Sequence, residues 1–163
     1  MSSTPNRAGN PAGKPRRKEI TLDLRTTRQM LPLVKSIVAD ITASRSALAR
    51  LVPEQDRLER HRRDLVWQER ERRYQIKEEM TACERAITAA VAELGALGVR
   101  LLDDQTGAID FPTKINGRTA AFTWKPEETA VAHWHYTDED QRRPIPADWD
   151  APAATATRSR GQS

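Results

Sequence analysis

The 163-residue sequence contains a single cysteine, Cys83, which excludes a disulfide framework and a cysteine-rich zinc site. Its seven glycines form neither a phosphate-binding loop nor a dinucleotide-binding fingerprint, and there is no nucleophile elbow. No apolar stretch approaches the roughly 20 residues that a membrane helix needs. Residues 1–17 lack the apolar core of a secretory signal. These absences favour a cytoplasmic protein without a membrane segment.

The net charge of +4 is the sum of unlike segments. Residues 1–19 carry +4 and residues 20–100 carry +3, whereas residues 101–150 carry −5 and residues 151–163 carry +2. Both ends are poor in apolar residues, so they cannot bury enough surface to offset the entropy of ordering. We predict a disordered basic tail over residues 1–19, a second disordered tail over residues 150–163, and a folded core between them.

Two apolar stripes with alternating steps of three and four predict a long antiparallel helical hairpin, similar to a coiled coil, over residues 20–98. The first stripe comprises Met30, Val34, Ile37, Ile41, Ser44, Leu48 and Leu51, and the second comprises Ile76, Met80, Cys83, Ile87, Ala90, Leu94 and Leu97. Either the chain reverses at Leu51 to Pro53, or the first helix is kinked there and reverses near Leu65 to Gln68, so we place the connection within residues 51–68. Two such helices expose more apolar surface than they cover between themselves, which favours a homodimer.

After Gly98 the pattern becomes that of short strands, which predicts a small antiparallel β-meander over residues 99–149, packed on the hairpin. The expected strands cover residues 99–102, 108–111, 111–115, 118–124 and 129–136. Asn116-Gly117 is a strong hairpin signal, because both central positions of a type I′ turn need positive φ. The predicted fold class is therefore α+β.

The run His133-Trp134-His135 places two imidazoles on one face of the last strand, because strand side chains alternate. His133 and His135 could share a metal, with Glu127, Glu128 or an aspartate as further ligands. The alternative, which we favour, is one solvated and one hydrogen-bonded histidine at the rim of the sheet. No third metal ligand is fixed by spacing.

Asp110 lies in the run Thr106-Gly-x-x-Asp-Phe-Pro, where a carboxylate could bind a ligand. The commoner role of a short acidic side chain beside a turn is to accept backbone N–H groups. No second carboxylate pairs with Asp110 at a spacing that suggests acid–base catalysis. We therefore predict no catalytic residue and no cofactor.

Basic residues in two places are candidate contacts for nucleic acid. These candidates are Lys14, Arg16, Arg17 and Lys18 in the N-terminal tail and Arg62, Arg63, Arg72 and Arg73 in the helical hairpin. Acidic residues interleave with the hairpin arginines in helix-supporting order, for example Glu59 with Arg63. That pattern favours a solvated helix surface with salt bridges.

The order of residues from about 20 to 146 resembles an uncharacterised bacterial and archaeal family, domain of unknown function number twenty-two oh three. The resemblance rests on Thr21-Leu-x-x-Arg-x-x-x-x-Met-Leu-Pro-Leu-Val, Leu97-Gly-Val, Asp104, Thr106-Gly107, Asp110-Phe-Pro, Gly117-Arg, Trp124, Glu128, Trp134-His135 and Arg143-Pro-Ile. The family brings no known activity, so the resemblance implies the architecture and leaves function open. If the family shares a site, its matched polar residues are Asp110, Glu128, His135 and Arg143, on the sheet or its rim.

Three functions remain open at this point. The leading hypothesis is a non-enzymatic interaction or scaffold protein that dimerises through its helices and presents the sheet to an unknown protein partner. The second is a small enzyme or sensor that binds a ligand or metal at Asp110, Glu128, His135 and Arg143. The third is an RNA- or ribosome-associated protein.

Overall fold

The computed structural model describes residues 19–150, which form two long helices followed by a five-stranded antiparallel sheet. Helix α1 spans Leu24–Arg60 and helix α2 spans Trp67–Ala96. The strands are β1 (Arg100–Asp103), β2 (Ala108–Ile115), β3 (Arg118–Trp124), β4 (His133–Tyr136) and β5 (Arg143–Pro144), and they are neighbours in chain order. The predicted α+β class is confirmed. Apart from one residue each, the two predicted tails lie outside the described residues.

Neither helix of the described region contains an apolar stretch long enough to cross a lipid bilayer.

Helix α1 begins at a side-chain cap and continues through two prolines. The Asp23 carboxylate accepts a hydrogen bond from the Thr26 N–H at 2.6 Å, which satisfies a backbone donor of the first turn. Pro32 and Pro53 lie inside the helix on its exposed side, so the carbonyl groups that lose their N–H partners face water. The helix therefore passes Pro53 and the chain reverses at residues 61–66, within the predicted range.

The two apolar stripes face each other and the sheet. The buried residues of α1 as far as Ile41 join the sheet and the end of α2 in one large core. Beyond that point a second, smaller core of Leu58, Leu65 and Ile76 holds the helices together. We call this distal part of the hairpin, residues 51–80, the arm. Seven of the fourteen stripe residues are buried, and the other seven, among them Met80, Cys83 and Ile87, are half-buried. Packing within one chain therefore covers much of the two stripes but not all of their surface.

The sheet has an inner face against the helices and an outer face away from them. The inner side chains Ile109, Phe111, Phe122, Trp124, Trp134 and Tyr136 are all buried. On the outer face, Asp110, Thr123 and His133 are ladder partners across β2, β3 and β4 and form one row. Asp110 and Thr123 are nevertheless only 5% and 4% exposed, so this part of the outer face is shielded from solvent.

Strand β4 is shorter than the predicted strand over residues 129–136, because residues 129–132 join no ladder. Val131 instead inserts into the large core, and the Ala132 carbonyl accepts a hydrogen bond from the Ile145 N–H at 2.9 Å. The predicted hairpin turn is confirmed, with φ of 53° at Asn116 and 73° at Gly117.

Two glycines with positive φ provide a matched test of this packing. A Cβ at Gly107 would lie 2.7 Å from Val38 Cγ1 and 2.8 Å from Pro126 Cγ, whereas a Cβ at Gly117 would meet nothing within 4 Å. Gly117→Ala should lower the free energy of unfolding by about 1 kcal/mol, through backbone strain alone. Gly107→Ala should cost about 1–3 kcal/mol more through overpacking. Urea unfolding measures both variants, and equal losses would contradict this packing around Gly107.

Candidate functional site

Asp110 and His135, two of the four residues that the family resemblance suggests, contact each other on the outer face of the sheet. Asp110 Oδ2 lies 2.8 Å from His135 Nε2, and the two side chains are 7% and 17% exposed. The other carboxylate oxygen, Asp110 Oδ1, is buried without a hydrogen-bond partner among residues 19–150. A buried acceptor of this kind is costly unless water or a ligand satisfies it.

The surroundings of His135 favour its protonated form. Its Nδ1 lies 2.9 Å from the Tyr136 carbonyl oxygen and 3.3 Å from the Glu139 carbonyl oxygen, so acceptors stand at both ring nitrogens. A neutral imidazole can donate from only one nitrogen, whereas the imidazolium donates from both. Burial by itself lowers the pKa of His135, but the Asp110 carboxylate and the two carbonyl groups outweigh it, and the pKa is raised above its usual 6.5.

Glu128, in the connection between β3 and β4, has different partners. Arg142 donates to Glu128 Oε1 at 2.6 Å, and His133 Nδ1 lies 3.8 Å from Glu128 Oε2. Glu128 Oε2, His133 Nδ1 and Arg142 Nε are all buried without a hydrogen-bond partner within the described range. We call the side chains Asp110, Glu128, His133, His135 and Arg142 the outer-face cluster. This cluster combines two carboxylates, two imidazoles and one guanidinium under partial cover.

Arg143 is not part of this cluster. It is the ladder partner of Trp134, and partners in a ladder point to the same face, which for Trp134 is the inner one. Its guanidinium carbon lies 5.2 Å from the ring centroids of both Trp134 and Tyr136, and it donates to Glu139 at 2.8 Å. The neighbouring Arg142 takes the position beside Glu128.

The structure places His133 and His135 on one face, as the alternation predicts, but their surroundings differ. Both ring nitrogens of His135 already have hydrogen-bond partners. Within residues 19–150, no group of three or more histidine, cysteine, aspartate or glutamate side chains is arranged to hold a metal ion. The described residues therefore do not add a third ligand to the histidine pair that the sequence suggests as a metal site.

The candidate contacts for nucleic acid are divided in the structure. Arg62 and Arg63 are exposed in the turn between the helices. Arg72 binds Glu54 at 2.8 Å and Glu79 at 3.0 Å, and Arg73 binds a glutamate in α1 at 2.6 Å. Two of these four arginines are thus already neutralised. The candidates Lys14, Arg16, Arg17 and Lys18 lie outside the described residues.

A second surface, which the sequence interpretation did not single out, lies on α2. At 100° per residue, nine exposed residues of α2 fall within about 40° of one direction, opposite Ile76 and the rest of the buried stripe. They are Trp67, Glu71, Tyr74, Glu78, Thr81, Arg85, Ala89, Ala92 and Ala96, and we call this surface the α2 outer face. Trp67 and Tyr74 are 70% and 64% exposed. The sequence could have indicated this surface, because Trp67 and Tyr74 lie on the side of the helix opposite the second apolar stripe.

The raised pKa of His135 predicts a pH-dependent contribution to stability. That contribution should be fully present below the unfolded pKa of about 6.5 and should disappear as pH rises through the higher folded pKa. His135→Gln should therefore lose about 1–3 kcal/mol at pH 6 and less at pH 9, through loss of the charged hydrogen bonds. Urea unfolding at both pH values measures the difference.

His61→Gln is the matched control, because His61 is exposed in the turn between the helices, where a substitution should change the free energy of unfolding little. An equal loss at both pH values in His135→Gln would show that His135 is neutral in the folded protein.

Comparison with known proteins identifies the family but not an activity. No curated protein and no solved structure matches the chain. The family model of the uncharacterized conserved protein DUF2203 matches residues 21–145, which include both helices, the sheet and the outer-face cluster. Because the match covers most of the sequence, the chain belongs to the DUF2203 family.

Proposed function

We propose that the protein is a non-enzymatic cytoplasmic interaction protein that forms a homodimer through the α2 outer face. The observation that carries the proposal is the exposure of Trp67 and Tyr74 on one side of one helix. The other aromatic side chains in residues 19–150 are buried or half-buried around the sheet. Large exposed aromatic residues that lie together are typical of interaction sites, where they contribute much of the binding energy.

The α2 outer face is complementary to itself in shape. Bulky side chains occupy the end near the turn, and small side chains such as Ala89 and Ala92 occupy the other end. In an antiparallel pair with a two-fold axis between residues 79 and 80, Trp67 of one copy lies opposite Ala92 of the other. The same axis places Tyr74 opposite Arg85. Large side chains then meet small ones at both ends, as a symmetric interface requires.

The charges on this face also fit an antiparallel copy. Arg85 opposite Tyr74 forms a cation–π pair, which contributes about 0.5–2 kcal/mol. Glu78 lies one helical turn from the position opposite Arg85, so an opposite charge is within reach of each guanidinium. The two-fold axis repeats both contacts.

Substitutions on the α2 outer face should weaken the dimer without unfolding the chain. Trp67→Ala removes the largest exposed aromatic side chain, and Ala92→Arg places a long charged side chain where a small one is needed. We expect wild-type protein to sediment as a dimer at micromolar concentration and both variants to sediment as monomers. Ala43→Arg, on the exposed side of α1, is the matched control and should remain dimeric. A monomeric wild-type protein would contradict the proposal.

The orientation of the two copies is testable separately with spin labels. Glu93→Cys in a Cys83→Ser background carries one label per chain at the edge of the α2 outer face. In the antiparallel pair the two labelled backbone positions are about 40 Å apart along the helix axis, from a rise of 1.5 Å per residue. A parallel pair would place them about 10 Å apart. The short distance would rule out the antiparallel arrangement.

A second candidate function is ligand binding at the outer-face cluster, and the unpartnered oxygen of Asp110 favours it. A bound molecule with a hydrogen-bond donor would satisfy Asp110 Oδ1, and a second donor would satisfy the unpartnered Oε2 of Glu128. Native mass spectrometry of gently purified protein should then show a stoichiometric extra mass that His135→Ala loses. A bare chain, together with no thermal shift from added metals or phosphates, would rule this candidate out.

A further inference from the structure

We propose that a cavity between residues 19–21, the end of α2 and β2 binds a small organic oxyanion, a phosphate or carboxylate that carries an apolar group. The cavity has a volume of about 370 Å³, within the range of about 300–1,000 Å³ that is usual for ligand sites. None of the residues of the outer-face cluster or of the α2 outer face lines it. The site is therefore independent of the proposed dimer.

The cavity exists because the segment before α1 touches the sheet at one point and then diverges. The Leu22 N–H donates to the Pro112 carbonyl at 2.7 Å. Ile20 packs closely over Gly98, where φ is +82° and a Cβ would lie 2.7 Å from Ile20 Cγ2. These two contacts fix the segment on either side of the space, so the walls of the cavity are set by the fold.

One wall of the cavity is an open strand edge. Strand β1 pairs only with residues 108–110 of β2, so the rest of that edge has no neighbouring strand. Backbone groups two residues apart point to the same side of a strand, and the Lys114 N–H therefore points to the same side as the Pro112 carbonyl. No backbone acceptor among residues 19–150 occupies that N–H on this side. It is available to an oxygen atom of a ligand.

The side chains around the cavity select for negative charge. Arg100 and Lys114 both line it, and neither forms an ion pair within the described part of the chain. Asp110 is the ladder partner of Arg100, but it forms no ion pair with Arg100 and does not line the cavity. Glu19 contributes one negative charge to the wall, so two positive charges face one negative charge. Guanidinium and ammonium groups bind phosphate and carboxylate oxygens by charge-assisted hydrogen bonds.

The remaining wall combines hydroxyl and apolar groups, which defines the rest of the ligand. Thr21, Thr113 and Thr119 supply hydroxyl groups that can donate to oxygen atoms. Ile20, Val99 and Pro112 supply apolar surface. A bare inorganic anion would leave this apolar surface wet, whereas an anion with an attached ring or chain would cover it. Phenyl phosphate should therefore bind more tightly than inorganic phosphate.

Titration of ¹⁵N-labelled full-length protein with inorganic phosphate, phenyl phosphate and benzoate tests the site. We expect saturable amide shifts at Arg100, Lys114 and Thr119, with phenyl phosphate or benzoate binding more tightly than inorganic phosphate. The tighter of these two organic probes identifies the headgroup as phosphate or carboxylate. Arg100→Gln and Lys114→Gln should each weaken binding about tenfold or more, through loss of a charge-assisted hydrogen bond.

Gly95 allows the cavity to be filled without removal of a charge. It lines the cavity, and a Cβ there would meet nothing within 4 Å. Gly95→Trp should abolish binding, whereas its matched control Gly95→Ala should not. Arg50→Gln removes an exposed charge from α1, far from the lining residues, and should bind like wild type. No saturable shift with any probe, or equal binding by wild type, Lys114→Gln and Gly95→Trp, would overturn the proposal.

Discussion

Burial of the long apolar stripe of α1 determines the architecture. At 37 residues, α1 is about 55 Å long, and the sheet covers its stripe only as far as Ile41. Helix α2 must cover the remainder, so the chain has to reverse beyond the end of the sheet. The arm is the direct consequence of this difference in length. It holds two helices together with few buried side chains and leaves the opposite sides of both helices in water.

The small core makes the arm the least stable part of the hairpin. Leu58, Leu65 and Ile76 are buried there, and ion pairs such as Arg73 with Glu59 supplement them. Partly exposed ion pairs of this kind contribute about 0–1 kcal/mol each. Regions with few buried apolar contacts open at a lower free energy than the main core. The part of the α2 outer face near the turn lies in the arm. A second copy bound to that face would therefore stabilise the arm, so dimer formation and folding of the arm would be coupled.

Most of the fold was predictable because its signals are local. The apolar stripes, Asn116-Gly117 and the polar turns each specify structure within a few residues, and the structure confirms the helices and the hairpin turn. Pro53 allowed two interpretations, because a proline breaks a helix only when the site cannot accommodate its ring. The predicted start of β4 was wrong for a different reason. Val131 fits a strand by sequence, but its side chain is buried in the large core. The backbone at residues 129–132 therefore does not pair with β3.

The polar sites were less predictable, because they depend on contacts between distant residues. Alternation places both histidines on one face, yet it does not show that His135 would find Asp110 across the sheet. The family resemblance grouped Asp110 with His135 and named Arg143, whereas in the structure it is Arg142 that lies beside Glu128. Adjacent strand residues point to opposite faces, so a shift of one residue changes which arginine meets the cluster. The pairing of Trp134 with Arg143 in the ladder is what places Arg143 on the inner face of the sheet.

Many acidic residues of the sheet region form ion pairs within the fold, so basic residues that lack such a partner stand out. The sheet region carries −5, and its carboxylates bind basic residues throughout the fold: Asp104 binds Arg45 and Asp150 binds Arg28, which tie the sheet region to α1. A region with twice as many acidic as basic residues can neutralise its own cations easily. Lys114 nevertheless lacks a carboxylate partner within residues 19–150, and so does Arg100 at the start of the sheet. Both line the same cavity, where an external anion would supply the negative partner that they lack among the described residues.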